Sequence, residues 1–157
     1  MVFRNMRRND KAFDVDTALQ MMRQASYSIV AFGEGDNGYP YALPVNVAYF
    51  DGALWFHGAA AGLKHEAISN DNRVCVTTVF DAEILPDKLS TEYTSLMVYG
   101  KAYTVPDEEY EDACRKFGMY FAPDFKADVD RATVQHRAAT RLIKIEIDHM
   151  TAKRNRE

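Results

Sequence analysis

Tyr41-Ala-Leu-Pro-Val-Asn-Val-Ala-Tyr-Phe-Asp-Gly-Ala-Leu-Trp-Phe-His-Gly-Ala-Ala-Ala-Gly-Leu-Lys64 is the stretch whose reading decides the fold. Apolar and small residues alternate on either side of Asp51-Gly52. That dipeptide suits a two-residue type I′ turn, which needs φ > 0 at both central positions. The stretch is therefore expected to form two antiparallel strands in fixed register, with Ala48 opposite Trp55, Asn46 opposite His57 and Pro44 opposite Ala59. Alternation then puts Leu43, Val45, Val47, Tyr49, Leu54 and Phe56 on the buried face. The opposite face is flatter and more polar, and a planar ligand would fit against it. Its apolar part, around Ala48 and Trp55, is expected to be covered by a ligand ring or a second subunit.

Past the hairpin, Gly58-Ala-Ala-Ala-Gly-Leu-Lys64 runs into a short helical pattern. Small residues let a ligand approach the backbone, and a helix N-terminus presents N–H groups suited to a phosphate. Lys64, in the first turn, adds a cationic donor. His57 and Asn46 sharing a face make His57 the candidate catalytic group. His65 reads as a surface residue.

Elsewhere the chain alternates strand and helix signals. Asp14–Gln24 has helical spacing, with Asp14 or Asp16 as cap. Tyr27–Phe32 reads as a strand ended by the turn-rich Gly33–Gly38. Arg73–Phe80 and Thr94–Val105 read as further strands. A helix is expected after Pro106, capped by Asp107, with Tyr110, Ala113, Cys114 and Phe117 as its core stripe. Ala127–Ala139 is a weaker helix, and Arg141–His149 a closing strand. The sum is about six antiparallel strands with peripheral helices, a small barrel rather than a doubly wound α/β fold.

At 157 residues the chain is expected to be one domain, spanning 1–157. Its net charge of −4 argues against a dedicated nucleic-acid binder. No apolar run approaches the ~20 residues of a membrane span, and no apolar core follows the basic N-terminus as a secretory signal requires. Cys75 and Cys114 read as buried thiols in a reduced, cytoplasmic setting. No spacing of His, Cys or acidic residues suggests a protein-held metal.

Three segments carry a resemblance: Pro40-Tyr-Ala-Leu-Pro-Val-Asn46, Trp55-Phe-His-Gly-Ala-Ala-Ala-Gly-Leu-Lys64 and Tyr93-Thr-Ser-Leu-Met-Val-Tyr-Gly-Lys-Ala102. In this order and spacing the chain resembles the pyridoxamine 5′-phosphate oxidase-like flavoproteins, nearest to the nitroimidazole-resistance (Nim-type) branch. The resemblance implies an FMN-binding split β-barrel that forms a homodimer, with FMN at the subunit interface. It implies that Leu43, Pro44, Val45 and Asn46 line the isoalloxazine edge through backbone groups. His57, Gly58 and Ala59 would lie near the ring and ribityl chain, Gly62, Leu63 and Lys64 at the phosphate, and Ser95 against the flavin. Leu63 departs from the arginine common in the true oxidases. The C-terminal Thr-Ala-Lys-Arg-Asn-Arg-Glu also lacks their substrate-binding segment, so pyridoxamine phosphate is not the expected substrate. The implied activity is FMN-dependent reduction of nitroaromatic or other small-molecule acceptors. The residues leave two alternatives open: a flavin-binding protein without turnover, and a haem-binding or haem-degrading split barrel using His57 or His149.

Overall fold

The computed structural model describes residues 2–35 and 38–156. The turn expected at Gly33–Gly38 includes Asp36 and Asn37, which lie outside the described residues. The elements in chain order are β1 (Ala12–Phe13), α1 (Val15–Met21), β2 (Ser28–Glu34), β3 (Pro40–Val45), β4 (Ala48–Phe50), β5 (Ala53–Ala59), α2 (Leu63–Asn70), β6 (Arg73–Leu85), β7 (Ser90–Thr104), α3 (Asp107–Phe121), α4 (Lys126–Gln135) and β8 (Thr140–Asn155).

The strands form one antiparallel sheet in the order β3-β2-β6-β7-β8-β5-β4, with β1 added to β8. Its two ends, β3 and β4, are consecutive in sequence and joined only by Asn46-Val47. The sheet therefore curls back on itself, and this junction is the seam of a split barrel. Val30, Leu54, Phe56, Val76, Leu96, Ile143 and Ile145 fill one interior cluster, each at most 1% exposed. Burying a side chain of this size stabilises by about 1.5–3 kcal/mol.

The hairpin turn forms as the sequence indicates: Asp51 and Gly52 both have positive φ, and Ala48 pairs with Trp55. The expected pairing beyond it does not form. The chain breaks at Asn46-Val47, and β3 pairs with β2, placing Pro44 opposite Ile29. From Trp55 onward β5 lies along β8, so His57 faces Leu142 and Ala59 faces Thr140. Neither the Asn46–His57 nor the Pro44–Ala59 pair exists. Pro40 and Pro44 lack backbone donors, which suits β3 to an edge and not to an interior strand. This split and the two-residue β1 raise the count to eight strands.

The flat hairpin face is also covered differently. Helix α3 packs Tyr110, Ala113, Phe117 and Tyr120 onto Ala48, Ala53 and Trp55, making a second core cluster. Trp55 stacks on Phe50 with ring centroids 4.7 Å apart and donates its indole N–H to the Phe50 carbonyl at 2.9 Å. It is 6% exposed, enclosed in this cluster. Lys116 of α3 reaches back to Asp51 at 2.9 Å, tying helix to hairpin.

Asp14 caps α1 as expected, accepting from the Thr17 N–H at 2.8 Å. Asp107 does not cap α3: Pro106 holds that position, and the Asp107 carboxylate pairs with Arg137 at 2.6 Å. Cys75 and Cys114 are free and half-buried. No helix among the described residues is long and apolar enough to cross a membrane.

Candidate functional site

The loop after β5 is held by contacts its sequence did not announce. His65 is half-buried, with its ring Nε2 2.8 Å from the Ala59 carbonyl, and Ala60 N–H donates to Ala139 O at 2.9 Å. Gly62 begins α2 at φ +121°, ψ 171°, a conformation that side chains disfavour. The next turn tightens through His65 N–H to Gly62 O at 3.0 Å. No side chain caps this helix end, so its first-turn N–H groups have no side-chain acceptor there.

Lys64 lies directly behind them. Its stem runs across Gly58, where an added Cβ would come within 2.7 Å of Lys64 Cε and 3.2 Å of Nζ. The small residue at 58 therefore makes room for the lysine, not for a ligand approaching the backbone. The side chain is 8% exposed, yet among the described residues no carboxylate pairs with it. Its ammonium donates to the Ala61 carbonyl at 3.4 Å. Burial lowers its pKa below the ordinary lysine value. A buried cation without a counter-charge beside an uncapped helix N-terminus is a donor set that fits a phosphate.

Leu43 and Val45 are half-buried in β3, and Pro44 and Asn46 are exposed. β3 pairs with β2 alone, so the backbone groups along its other edge are free of the sheet. Asn46 does not orient His57: its amide donates to the Ser26 carbonyl at 2.6 Å. His57 instead meets α3, its ring 5.1 Å from Phe117. Desolvation there lowers its pKa below 6.5, so the imidazole is neutral at neutral pH.

Ser95 stands apart. It sits on β7 opposite Lys153 of β8, whereas His57 sits opposite Leu142. The two positions are separated by roughly 35 Å of strand at about 3.3 Å per residue. Ser95 lines a different hollow of about 350 Å³, with Phe3, Arg4, Tyr99 and His149. The structure thus brings Asn46 to His57 at one cavity and Lys64 to Gly58, and places Ser95 in a different hollow.

The structure adds a cavity of about 500 Å³ where Asn46 and His57 meet α3 and α4. Tyr110, Cys114 and Phe117 form one wall, and Val129 and Thr133 another. The α3 stripe was visible in the sequence as a core signal, but the weak amphipathicity of α4 gave no sign of a ligand-sized space. Tyr110 stays protonated, its pKa pushed up to about 12 chiefly by burial. Among the described residues no cluster of metal-ligating side chains forms.

Comparison with known proteins follows the same lines. The family model described as pyridoxamine 5′-phosphate oxidase matches residues 11–154. A search of curated proteins finds no match. Among solved structures, a candidate 5-nitroimidazole antibiotic resistance protein from Bacteroides thetaiotaomicron is 23% identical over 89% of this chain and 83% of its own, with a TM-score of 0.64. The FAD and haem binding protein from Mycobacterium smegmatis is 17% identical over 94% and 74%, with a TM-score of 0.79. The flavocytochrome Anf3 from Azotobacter vinelandii is 18% identical over 98% and 73%, also at 0.79. At these identities the likeness is one of fold.

Proposed function

The chain belongs to the pyridoxamine 5′-phosphate oxidase family, and on that premise we propose that it binds FMN and uses it to reduce a small organic acceptor. The observation that carries this reading is the buried Lys64 ammonium at the start of α2, which has no carboxylate partner among the described residues. Gly62, Leu63 and Lys64 hold the phosphate there. The free edge of β3, from Leu43 to Asn46, supplies backbone groups for the ring system, with His57, Gly58 and Ala59 bordering ring and ribityl chain. A bound flavin supplies reversible redox chemistry that amino-acid side chains lack. His57, neutral and open to the cavity, holds a proton donor against whatever molecule lies there.

Ser95 reaches such a flavin only from a second copy of the chain, which is why the functional unit in this proposal is a homodimer acting on a small-molecule substrate. Two free thiols fit a cytoplasmic location.

The test is the visible spectrum of the purified protein, followed by mass spectrometry of the flavin released on denaturation. Flavin bands and a mass equal to FMN support the proposal. A haem Soret band without flavin overturns it, and a release of FAD overturns the choice of FMN. Sedimentation equilibrium giving only the 17.9 kDa monomer overturns the dimer.

A further inference from the structure

We propose that the cavity between His57 and helices α3 and α4 selects uncharged, flat, conjugated molecules and turns away carboxylates and phosphates. Only the role of such a molecule as electron acceptor rests on the flavin reading; its binding does not. At about 500 Å³ the cavity falls within the size range of small-molecule sites. Its walls are largely apolar, and no Lys, Arg, Asp or Glu side chain lines it among the described residues. The cations near it are engaged: Arg137 pairs with Asp107 at 2.6 Å and lies 4.1 Å over the Tyr110 ring, and Arg141 donates to the Arg137 and Thr140 carbonyls at 3.4 and 3.1 Å.

The aromatic groups suit aromatic ligands, which pack on such rings offset or edge to face. The His57 and Phe117 rings are 5.1 Å apart and tilted by 48°, and Phe117 and Phe121 meet edge to face at 5.1 Å, a run of aromatic edges and faces that ends at the exposed Phe121. Polar groups sit mainly at the ends. His57 and Asn46 are at the sheet end, His136 and Thr140 where α4 leads into β8. The Thr133 hydroxyl is already donating to the Val129 carbonyl at 2.9 Å. A neutral His57 offers one donor and one acceptor nitrogen, which suits a carbonyl, nitro or quinone-like oxygen on an otherwise apolar frame. An anion entering the same space would lose its water and find no Lys or Arg in the lining in exchange.

The experiment titrates the full-length purified protein with two fluorescent probes of one shape: aminoanthracene, uncharged at neutral pH, and anthracenecarboxylate. The uncharged probe is expected to bind at least about tenfold more tightly, as an unpaired desolvated charge requires. Ala132 is an exposed cavity residue on α4. Ala132→Phe, which fills the space, should weaken the uncharged probe about tenfold or more, and Ala132→Arg should narrow or invert the preference. Thermal melts confirm that both variants fold. Equal affinity for the two probes overturns the proposal, as does aminoanthracene binding that Ala132→Phe leaves unchanged. Flavin content is read on the same samples by absorbance. Probe discrimination without bound flavin sinks the flavin reading alone, and bound flavin without discrimination sinks the cavity alone.

Discussion

Replacing Lys64 by methionine should move the stability of the empty protein and its affinity for FMN in opposite directions. Methionine keeps a long apolar stem to lie across Gly58 but removes the charge. In the empty protein that charge is a liability. Lys64 is 8% exposed with no carboxylate partner among the described residues, and desolvation lowers its pKa below 10.5. The folded chain thus binds this proton less tightly than the unfolded chain. The resulting penalty is complete below the folded pKa and disappears as pH rises towards 10.5. At neutral pH Lys64→Met should therefore melt no lower than the parent without ligand.

With FMN the order reverses. A charge-assisted contact to phosphate contributes about 1.5–3 kcal/mol, or roughly 10- to 150-fold in affinity. At an FMN concentration of ~100 times the parent's Kd, the parent gains about 2.7 kcal/mol. A variant binding ~100-fold more weakly gains only about 0.4 kcal/mol at that concentration. For a chain of this length that is about 5–11 °C of thermal shift against roughly 1 °C. Riboflavin, which has no phosphate, should shift both proteins equally. An unchanged FMN shift in Lys64→Met, or an equal fall for riboflavin, refutes the placement of the phosphate.

Gly62→Ala forces a side chain into φ +121°, so it should cost about 1–3 kcal/mol in chemical denaturation and weaken FMN binding. Trp55→Ala should destabilise by about 3–5 kcal/mol, because Trp55 is core beneath α3; a stable, monomeric variant would instead make it an interface residue. His57 has a folded pKa below 6.5, so the unfolded chain takes up its proton first as pH falls. Its contribution to stability is present above ~6.5 and lost below it; His57→Gln should flatten that decline in pH-dependent melts. His57→Ala should keep FMN but lose at least about a hundredfold in turnover of a nitroaromatic acceptor per bound flavin, and an unchanged rate per flavin reduces His57 to a wall of the cavity.

Local signals carried the hairpin turn, the α1 cap and the α3 stripe, because each depends on residues within a few positions of one another. What the sequence withheld were choices between distant partners. Nothing near Asn46 says that the strand before it leaves β5 for β2; that depends on β2 and β8 being better placed neighbours. Alternation put Ala48 and Trp55 on one face but could not say that a helix sixty residues later would cover it. The apolar face read as awaiting a partner was awaiting α3. Lys64 was legible as a cation near a helix start, whereas its burial against Gly58 required the folded loop. Ser95 shows the reverse problem: it is one of the residues named by the family resemblance, and the fold places it away from the others.

The seam explains why these residues collect where they do. A closed ladder would use every backbone group of β3 and β5 and leave nothing for a ligand. Because the chain steps from β3 to β4 through Asn46-Val47, one edge of β3 stays unpaired and the end of β5 overhangs β4. The overhang carries His57, Gly58 and Ala59, and it leads directly into the uncapped start of α2. Free strand edge, cavity rim and helix N-terminus are thus adjacent as a consequence of a single interruption in the sheet. Asn46 sits at that interruption, exposed, tied to Ser26 and lining the cavity. The same break that opens the site also limits it, since the barrel wall carrying Ser95 runs away from the seam. In the proposed FMN site, Ser95 is the residue that a second copy would have to supply.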